Sequence, residues 1–352
     1  MTSRISPSPA SLGIAGAGLL GRLLALELAA AGHEVHIFDP APHAEARGAA
    51  GWTAAGMLSP VAELECADDD VFHLGLRSLE LWPAILRRLP APVEFRRDGS
   101  LLLAHRGDEG AARRVLELLQ RKLHQAQPGS TLAPRPLAAQ ELRELEPAVR
   151  GPSHAWLLPE EGRIHTVQAM QALAGAAGKI HWHWAQQVLE ASPGRLRCAD
   201  GEHRFEHVFD ARGTGARPQL PVRGVRGEIF WLQAPGLQLT RPLRLLHPRH
   251  RVYIVPRAPD LVVVGASEIE SEDRSPVSLR STVELLAAAH SVVPELAEAR
   301  VVHSETNLRP ALPDNLPRVE AQPGLTRING LFRHGWLIAP ALVERALQET
   351  RA

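Results

Sequence analysis

The run Gly16-Ala17-Gly18-Leu19-Leu20-Gly21 constrains this chain more than any other feature. A short, mostly apolar stretch, Ser11 to Ala15, precedes it, and an apolar helix-like stretch, Leu19 to Ala31, follows and stops at Gly32. A second strand, Glu34 to Phe38, then ends in Asp39. In a strand–turn–helix of this kind each glycine has a task. Gly16 permits the tight turn, Gly18 lets the backbone approach a diphosphate, and Gly21 lets helix pack on strand. The amides of Leu19 and Leu20 at the helix start then face the diphosphate. Asp39 lies 18 residues beyond Gly21, where a carboxylate accepts hydrogen bonds from ribose hydroxyls. A glycine triplet alone would mark only a glycine-rich helix start. With strand, helix and acid all in place, the expectation is a Rossmann-type dinucleotide site.

Composition narrows the partners. The chain has 352 residues, enough for two structural units. Its 39 basic and 39 acidic residues cancel, which argues against nucleic acid as the main partner. All the basic residues except Lys122 and Lys179 are arginine, so Schiff-base chemistry has almost no candidate, and Ile180 after Gly178-Lys179 breaks any P-loop pattern. Cys66 and Cys198 stand alone, with neither a Cys-x-x-Cys pair nor zinc spacing, and suit a reduced, cytoplasmic setting. Met1 to Pro9 does not read as a signal peptide. Leu12 to Ala31 is too interrupted, by four glycines, Arg22 and Glu27, to read as a membrane span.

Further along, helices are expected over 71–88, with a kink at Pro83, and over 109–125. Residues 93–104 read as two strands turning at Asp98-Gly99. Helix 166–177 and strand 179–185 follow, then a hairpin-like run to Phe209. Residues 222–264 are strand-rich, and helices are expected over 279–289 and 335–347. Pro340 suits the first turn of the last helix.

Residues 47–60, from Arg47 to Pro60, are small and glycine-rich and sit just after the acid-bearing strand. Such a backbone can lie against a flat ring. At this point the chain resembles the flavoprotein family of D-amino-acid oxidase, most closely its glycine oxidase branch, where an Ala-Ala-Gly-Met segment, here Ala54 to Met57, runs beside the isoalloxazine. Similar segments continue along nearly the whole chain. They include Phe95 to Leu101, Asp210 to Gly215, Val222 to Glu228, Val252 to Arg257, Val264 to Glu268, Leu308 to Asp314 and Gly330 to Gly335. The family glycines flanking Leu308-Arg309-Pro310 are Asn307 and Ala311 here, Glu320 stands where a later glycine is usual, and Leu331 replaces a frequent histidine.

The resemblance implies an α/β fold: a glutathione-reductase-like FAD-binding domain with an interleaved α+β substrate domain on an antiparallel sheet. The implied division is 10–90, 145–216 and 322–352 for the cofactor, and 91–144 and 217–321 for the substrate. It implies FAD contacts at Leu19, Leu20, Asp39, Pro40, Ala50, Gly51, Ala55, Gly56, Met57 and the backbone of Val188. Further contacts fall on Leu331, Phe332, Arg333, His334, Gly335, Trp336 and Leu337. It places a substrate carboxylate on Arg309, with Tyr253 and Arg333 beside it. The cysteines lie outside the signatures that carry covalent flavin, so noncovalent FAD is expected.

The implied activity is oxidative deamination of a small amino acid, glycine first. Hydride passes from Cα to flavin N5, and glycine, oxygen and water become glyoxylate, ammonia and hydrogen peroxide. No side chain acts as a base if hydride transfer is direct. The imine can feed thiamine thiazole formation, which leaves room for a thiazole synthase downstream and for a homo-oligomer. A dehydrogenase using another acceptor, with sarcosine or a D-amino acid as substrate, and a non-catalytic flavin-binding or tRNA-modification module stay open as alternatives.

The residues agree with this on their own terms. A guanidinium takes an α-carboxylate through two parallel hydrogen bonds, although Arg309 taken alone would read as one more surface ion pair. Tyr253, the only tyrosine, reads equally as a core aromatic. Arg251 shares its strand face and makes a cationic pocket. Glu63 and Glu65 read as an exposed loop, with a lid role as the alternative, and Asp68-Asp69-Asp70 as a solvated helix start. His181 and His183 alternate on one strand face, but no third ligand is evident and no metal site is expected.

Overall fold

Short strands, most of them of four or five residues and too short for helices, build two large sheets. In the computed structural model, which describes residues 10–247 and 251–351, Ser11–Ala15 is the centre of a six-stranded sheet. The stretch Met1 to Pro9 lies outside the described residues. Glu34–Phe38 pairs in parallel on one side of the central strand and His207–Asp210 on the other. Ile180–His183 and Leu325–Asn329 extend the sheet in parallel, and Arg318–Gln322 closes one edge antiparallel. Leu12, Ile14, Val35 and Ile37 are all buried, as expected of a parallel sheet covered on both faces.

Helix Leu19–Ala30 returns from the glycine turn and packs against helix Gly335–Arg351, which also packs on helix Asp69–Leu86. Asp68 caps the last of these by accepting the Val71 N–H at 3.0 Å, and Asp69 and Asp70 fill its first turn. Pro340 departs from expectation: it lies inside helix Gly335–Arg351 rather than in its first turn. A proline there has no N–H for the Trp336 carbonyl. That carbonyl instead accepts the Trp82 indole N–H at 3.2 Å, so the gap in one helix ladder becomes a tie between two helices.

The second large sheet has eight strands and is almost wholly antiparallel. Its order is Arg300–Ala311, Arg223–Gln233, Leu261–Gly265, Arg251–Arg257, Leu243–Leu246, Ser100–Ala104, His154–Leu158 and Arg135–Pro136. The expected turn at Asp98-Gly99 passes the chain from a small sheet, where Phe95–Arg96 pairs with Gly162–Ile164, into this one. Strand His154–Leu158, within the 145–216 stretch expected to bind the cofactor, pairs with Ser100–Ala104 and so belongs to the second sheet. Residues 190–204 form a three-stranded meander. None of the described helices is long and apolar enough to cross a membrane.

Candidate active site

A cavity of about 1270 Å³ opens between the two large sheets. That exceeds the roughly 300–1,000 Å³ of ordinary small-ligand pockets and suits an extended dinucleotide. Its one end is the glycine turn. Gly16 has φ +95°, and a Cβ there would stand 2.8 Å from the Ala211 carbonyl oxygen; a Cβ at Gly21 would stand 1.8 Å from the Gly16 oxygen. At Gly18, by contrast, the only nearby atom is the Ala49 Cβ at 3.6 Å, which leaves the turn bare on the cavity side. Asp39 stands at the strand end as expected. Its Oδ2 accepts the Ala17 N–H at 2.7 Å and its Oδ1 the Ala41 N–H at 2.8 Å, so the acid also ties the glycine turn to its own strand.

Arg22 is a residue that sequence reasoning passed over. Its guanidinium is buried beneath the turn, with Nε donating to the Ala17 carbonyl at 2.7 Å, Nη1 to Met170 at 2.5 Å and Nη2 to Ala44 at 2.7 Å. Burial draws its pKa down to about 10 although Asp39 pulls the other way, so it stays charged.

The segment expected beside a flat ring lines the cavity from Gly48 to Met57. Gly56 has φ +67°, and a Cβ there would stand 2.1 Å from the Ile164 carbonyl oxygen. Arg257 Nη2 donates to the carbonyls of Ala55 and Ile164, and so ties this segment to the strand Gly162–Ile164 behind it. Trp336 Nε1 donates to the Gly51 carbonyl at 3.0 Å. Asn307 fills its departure from the family glycine usefully: its Nδ2 reaches the Ala49 carbonyl at 3.2 Å and Thr53 Oγ1 at 3.1 Å, pinning the same segment. Pro40, Ala50, Val188 and all seven residues 331–337 also line the cavity. The Val188 carbonyl accepts from Arg212 Nη1 at 3.0 Å. The first N–H groups of helix Gly335–Arg351 lack intrahelical partners and reach this wall, where they suit developing negative charge. Cys66 and Cys198 are not among the residues that line the cavity. The bare glycine turn, the acid at the strand end and the shallow Ala-Gly-Met wall together fit FAD.

The other end of the cavity is cationic. Arg309 and Tyr253 face it from strands Arg300–Ala311 and Arg251–Arg257 of the second sheet. Arg309 Nη1 donates to the Ser267 carbonyl at 3.0 Å and the Arg226 carbonyl at 3.3 Å. Among the described residues no carboxylate forms an ion pair with it, and burial lowers its pKa while Tyr253 opposes. Burial raises the Tyr253 hydroxyl above its ordinary value against the pull of Arg309, so it remains a proton donor near neutrality. Arg251 reaches the rim, where Glu65 stands 3.5 Å away.

Glu63 is the correction at this end. It was expected on an exposed loop, but it closes the short helix Pro60–Glu63 and is buried. Its Oε1 accepts from Arg244 Nη2 at 2.6 Å, and its Oε2 lies 3.2 Å from Arg333 Nε. His334 Nδ1 is 3.1 Å from the same oxygen but is not aligned for a hydrogen bond. Burial opposes the charge on Glu63, yet Arg333 and Arg244 hold its carboxyl well below the usual range. Arg333 also meets Glu268 Oε2 at 3.2 Å. Arg244 went unnoticed in the sequence; it pairs directly across from Tyr253, which puts both on one sheet face. Arg244 and Arg333 thus meet the carboxylates of Glu63 and Glu268, and Arg309 is left beside them with no carboxylate partner among the described residues.

Residues 12–346 match the DAO family of FAD dependent oxidoreductases. The chain is 36% identical to the Rhizobium etli protein that carries the name thiamine biosynthesis oxidoreductase ThiO, over 93% of this chain and 92% of that one. It is 28% identical to the bifunctional protein ThiO/ThiG of a Nostoc species over 93% of its own length, and spans 50% of that longer protein. Among solved structures, glycine oxidase from Geobacillus kaustophilus superposes with a TM-score of 0.81 at 27% identity, covering 96% of this chain and 95% of that one.

Proposed function

Because the chain belongs to the DAO family of FAD dependent oxidoreductases, we propose that it oxidises a small amino acid, glycine first, with the carboxylate held by Arg309. It is an FAD-dependent enzyme of the amino-acid oxidase type. We assign cofactor binding to the unit built on the six-stranded sheet and substrate binding to the unit built on the eight-stranded one.

The observation that carries the substrate class is the pairing of charges. Arg244 and Arg333 share Glu63, and Arg333 has Glu268 as well. Among the described residues Arg309 donates only to carbonyl oxygens, and a guanidinium in that state is completed by one carboxylate. Tyr253, protonated at neutral pH, donates to the same carboxylate. With Arg309 and Tyr253 fixing the acid group, the small residues Ala55 and Gly56 leave the ring position open to Cα. Bound FAD would supply the two-electron acceptor for the hydride lost from Cα. The chain's part is to orient Cα, keep the amine neutral beside a cationic wall, and shield the site from water. An imine leaves and hydrolyses to the keto acid and ammonia. Likeness to a protein named for thiamine biosynthesis supports supply of that imine, or its product, to thiazole assembly as the biological setting.

The test is an absorbance spectrum of the purified protein before and after glycine under anaerobic conditions. Oxidised-flavin bands that bleach with glycine, followed on aeration by peroxide and glyoxylate, support the reading. Bands that bleach only with another amine would move the substrate, and flavin that no amine reduces would sink it.

A further inference from the structure

We propose that the outer edge of the six-stranded sheet holds a divalent transition metal ion of the zinc class, bound by Glu34, His36 and His181 and braced by His183. The alternation of His181 and His183 offered two ligands but no third. Strand register supplies it. Glu34–Phe38 and Ile180–His183 pair in parallel with His36 opposite His181 and Phe38 opposite His183. With side chains alternating along each strand, Glu34, His36, His181 and His183 share one face.

On that face the donors converge. His181 Nε2 lies 3.0 Å from Glu34 Oε1, and His36 Nε2 lies 3.7 Å from the same oxygen. One ligand atom from each of the three falls within 4.8 Å of the others. Donors each about 2.0–2.1 Å from a tetrahedral zinc ion are roughly 3.4 Å apart, so small side-chain rotations complete the set and leave a fourth position for water. The His36 and His181 rings stack at 4.5 Å, 19° from parallel, and so present their nitrogens side by side.

The surroundings supply what a ligating imidazole needs. His36 Nδ1 is hydrogen-bonded to His183 Nε2 at 3.1 Å, which occupies one ring nitrogen and leaves Nε2 for a metal. His183 in turn is fixed by stacking on Phe38 at 4.3 Å. A surface Glu–His pair would account for the 3.0 Å contact alone, but not for a third convergent donor with a braced second nitrogen. The consequence is mechanical. A metal here straps the edge strand to the strand that ends in Asp39, whose N–H already donates to the His183 carbonyl at 3.1 Å.

A neighbouring group serves as a control. Cys198, Asp200 and His203 also cluster, on the far side of His183, with the His183 and His203 rings 6.4 Å apart. The experiment uses untagged holoenzyme, treated with EDTA, dialysed, and titrated with Zn²⁺ by calorimetry. One equivalent is expected to bind per chain, raising Tm. Glu34→Gln and His181→Gln should each weaken binding tenfold or more and abolish the Tm rise, with the flavin spectrum and glycine turnover unchanged. Both side chains are 48% exposed, so neither substitution disturbs the core. Cys198→Ser should bind as the parent does, and Co²⁺ on flavin-free protein should show the visible bands of a four-coordinate ion. The proposal fails if no saturable equivalent binds, if both variants bind like the parent, or if Cys198→Ser removes the site instead.

Discussion

The guanidinium of Arg309 rests against Gly227, where a Cβ would stand 2.6 Å from Cζ and from both terminal nitrogens. Gly227 lies on the strand paired to the one that carries Arg309, and the absent side chain is what lets the guanidinium reach the Ser267 carbonyl. A methyl group there must displace the guanidinium. Gly227→Ala should therefore raise KM for glycine about tenfold or more, some 1.4 kcal/mol, while the flavin spectrum stays unchanged. Arg309→Ala, which removes a charge-assisted pair, should cost roughly 1.5–3 kcal/mol of substrate binding. Steady-state kinetics at saturating oxygen check both; an unchanged KM in Arg309→Ala would remove the carboxylate assignment.

Glu63 is shared by Arg244 and Arg333, and its loss leaves Arg244 without its carboxylate while Arg333 keeps only the half-exposed Glu268. Removing one partner of a buried pair costs about 3–5 kcal/mol. Glu63→Gln should lower Tm by several degrees at pH 7. The folded carboxyl lies well below its ordinary value, which is about 4.3 in an unfolded chain. Its stabilisation is therefore fully present above that value and is lost as pH falls through the lower folded one. Thermal melts should show a constant gap between parent and Glu63→Gln from pH 5 to 8, narrowing only below about pH 4. A gap that instead vanished near neutrality would mean that Glu63 is not ionised in the folded protein.

What could be read in advance and what could not divide along one physical line. Gly16, Gly18, Gly21 and Asp39 serve a site made by one βαβ unit, so their spacing in the chain is their spacing in space. Arg309, Tyr253 and Arg333, which line one end of the cavity, are singled out only by family motifs, because nothing local separates them from the other arginines or from a core aromatic. Arg22, Arg244 and Arg257 stayed hidden because their roles depend on what is buried around them. Arg244 is placed by its register against Tyr253, and Arg257 by carbonyls more than ninety residues away. Glu63 read as an exposed loop acid for the same reason, since its partners are 181 and 270 residues further on. Pro340 was misplaced because the Trp82 indole that makes a mid-helix proline tolerable comes from another helix.

Asp39 holds two backbone amides besides facing the cavity, so its removal should loosen both the turn and the cofactor. Asp39→Ala leaves the Ala17 and Ala41 N–H groups without their acceptor, at about 1–3 kcal/mol for the set. FAD should dissociate on dialysis under conditions in which the parent retains it, with Kd raised roughly tenfold to a hundredfold. Flavin fluorescence during titration of the stripped protein measures this. Equal retention by the two proteins would show that the diphosphate end carries the affinity without the acid.

Asn307 stands where the resemblance predicts glycine, and its side chain shows what the exchange provides. Its amide donates to the Ala49 carbonyl and Thr53 Oγ1, and its Oδ1 accepts the Leu308 N–H at 2.9 Å. Alongside it, Arg47 Nη1 donates to Glu305 Oε1 at 2.5 Å, so strand Arg300–Ala311 grips the cavity-lining segment at two adjacent points. Reverting to the family residue, Asn307→Gly, removes one grip and adds backbone freedom within a strand. Arg309 is untouched, so the two effects separate: FAD should leave several times faster in a flavin-release assay, and Tm should fall by the equivalent of about 1–2 kcal/mol, while KM for glycine stays close to the parent value. A changed KM with unchanged flavin release would mean that Asn307 acts on the substrate end, through the neighbouring Leu308 and Arg309, rather than on the segment it is bonded to.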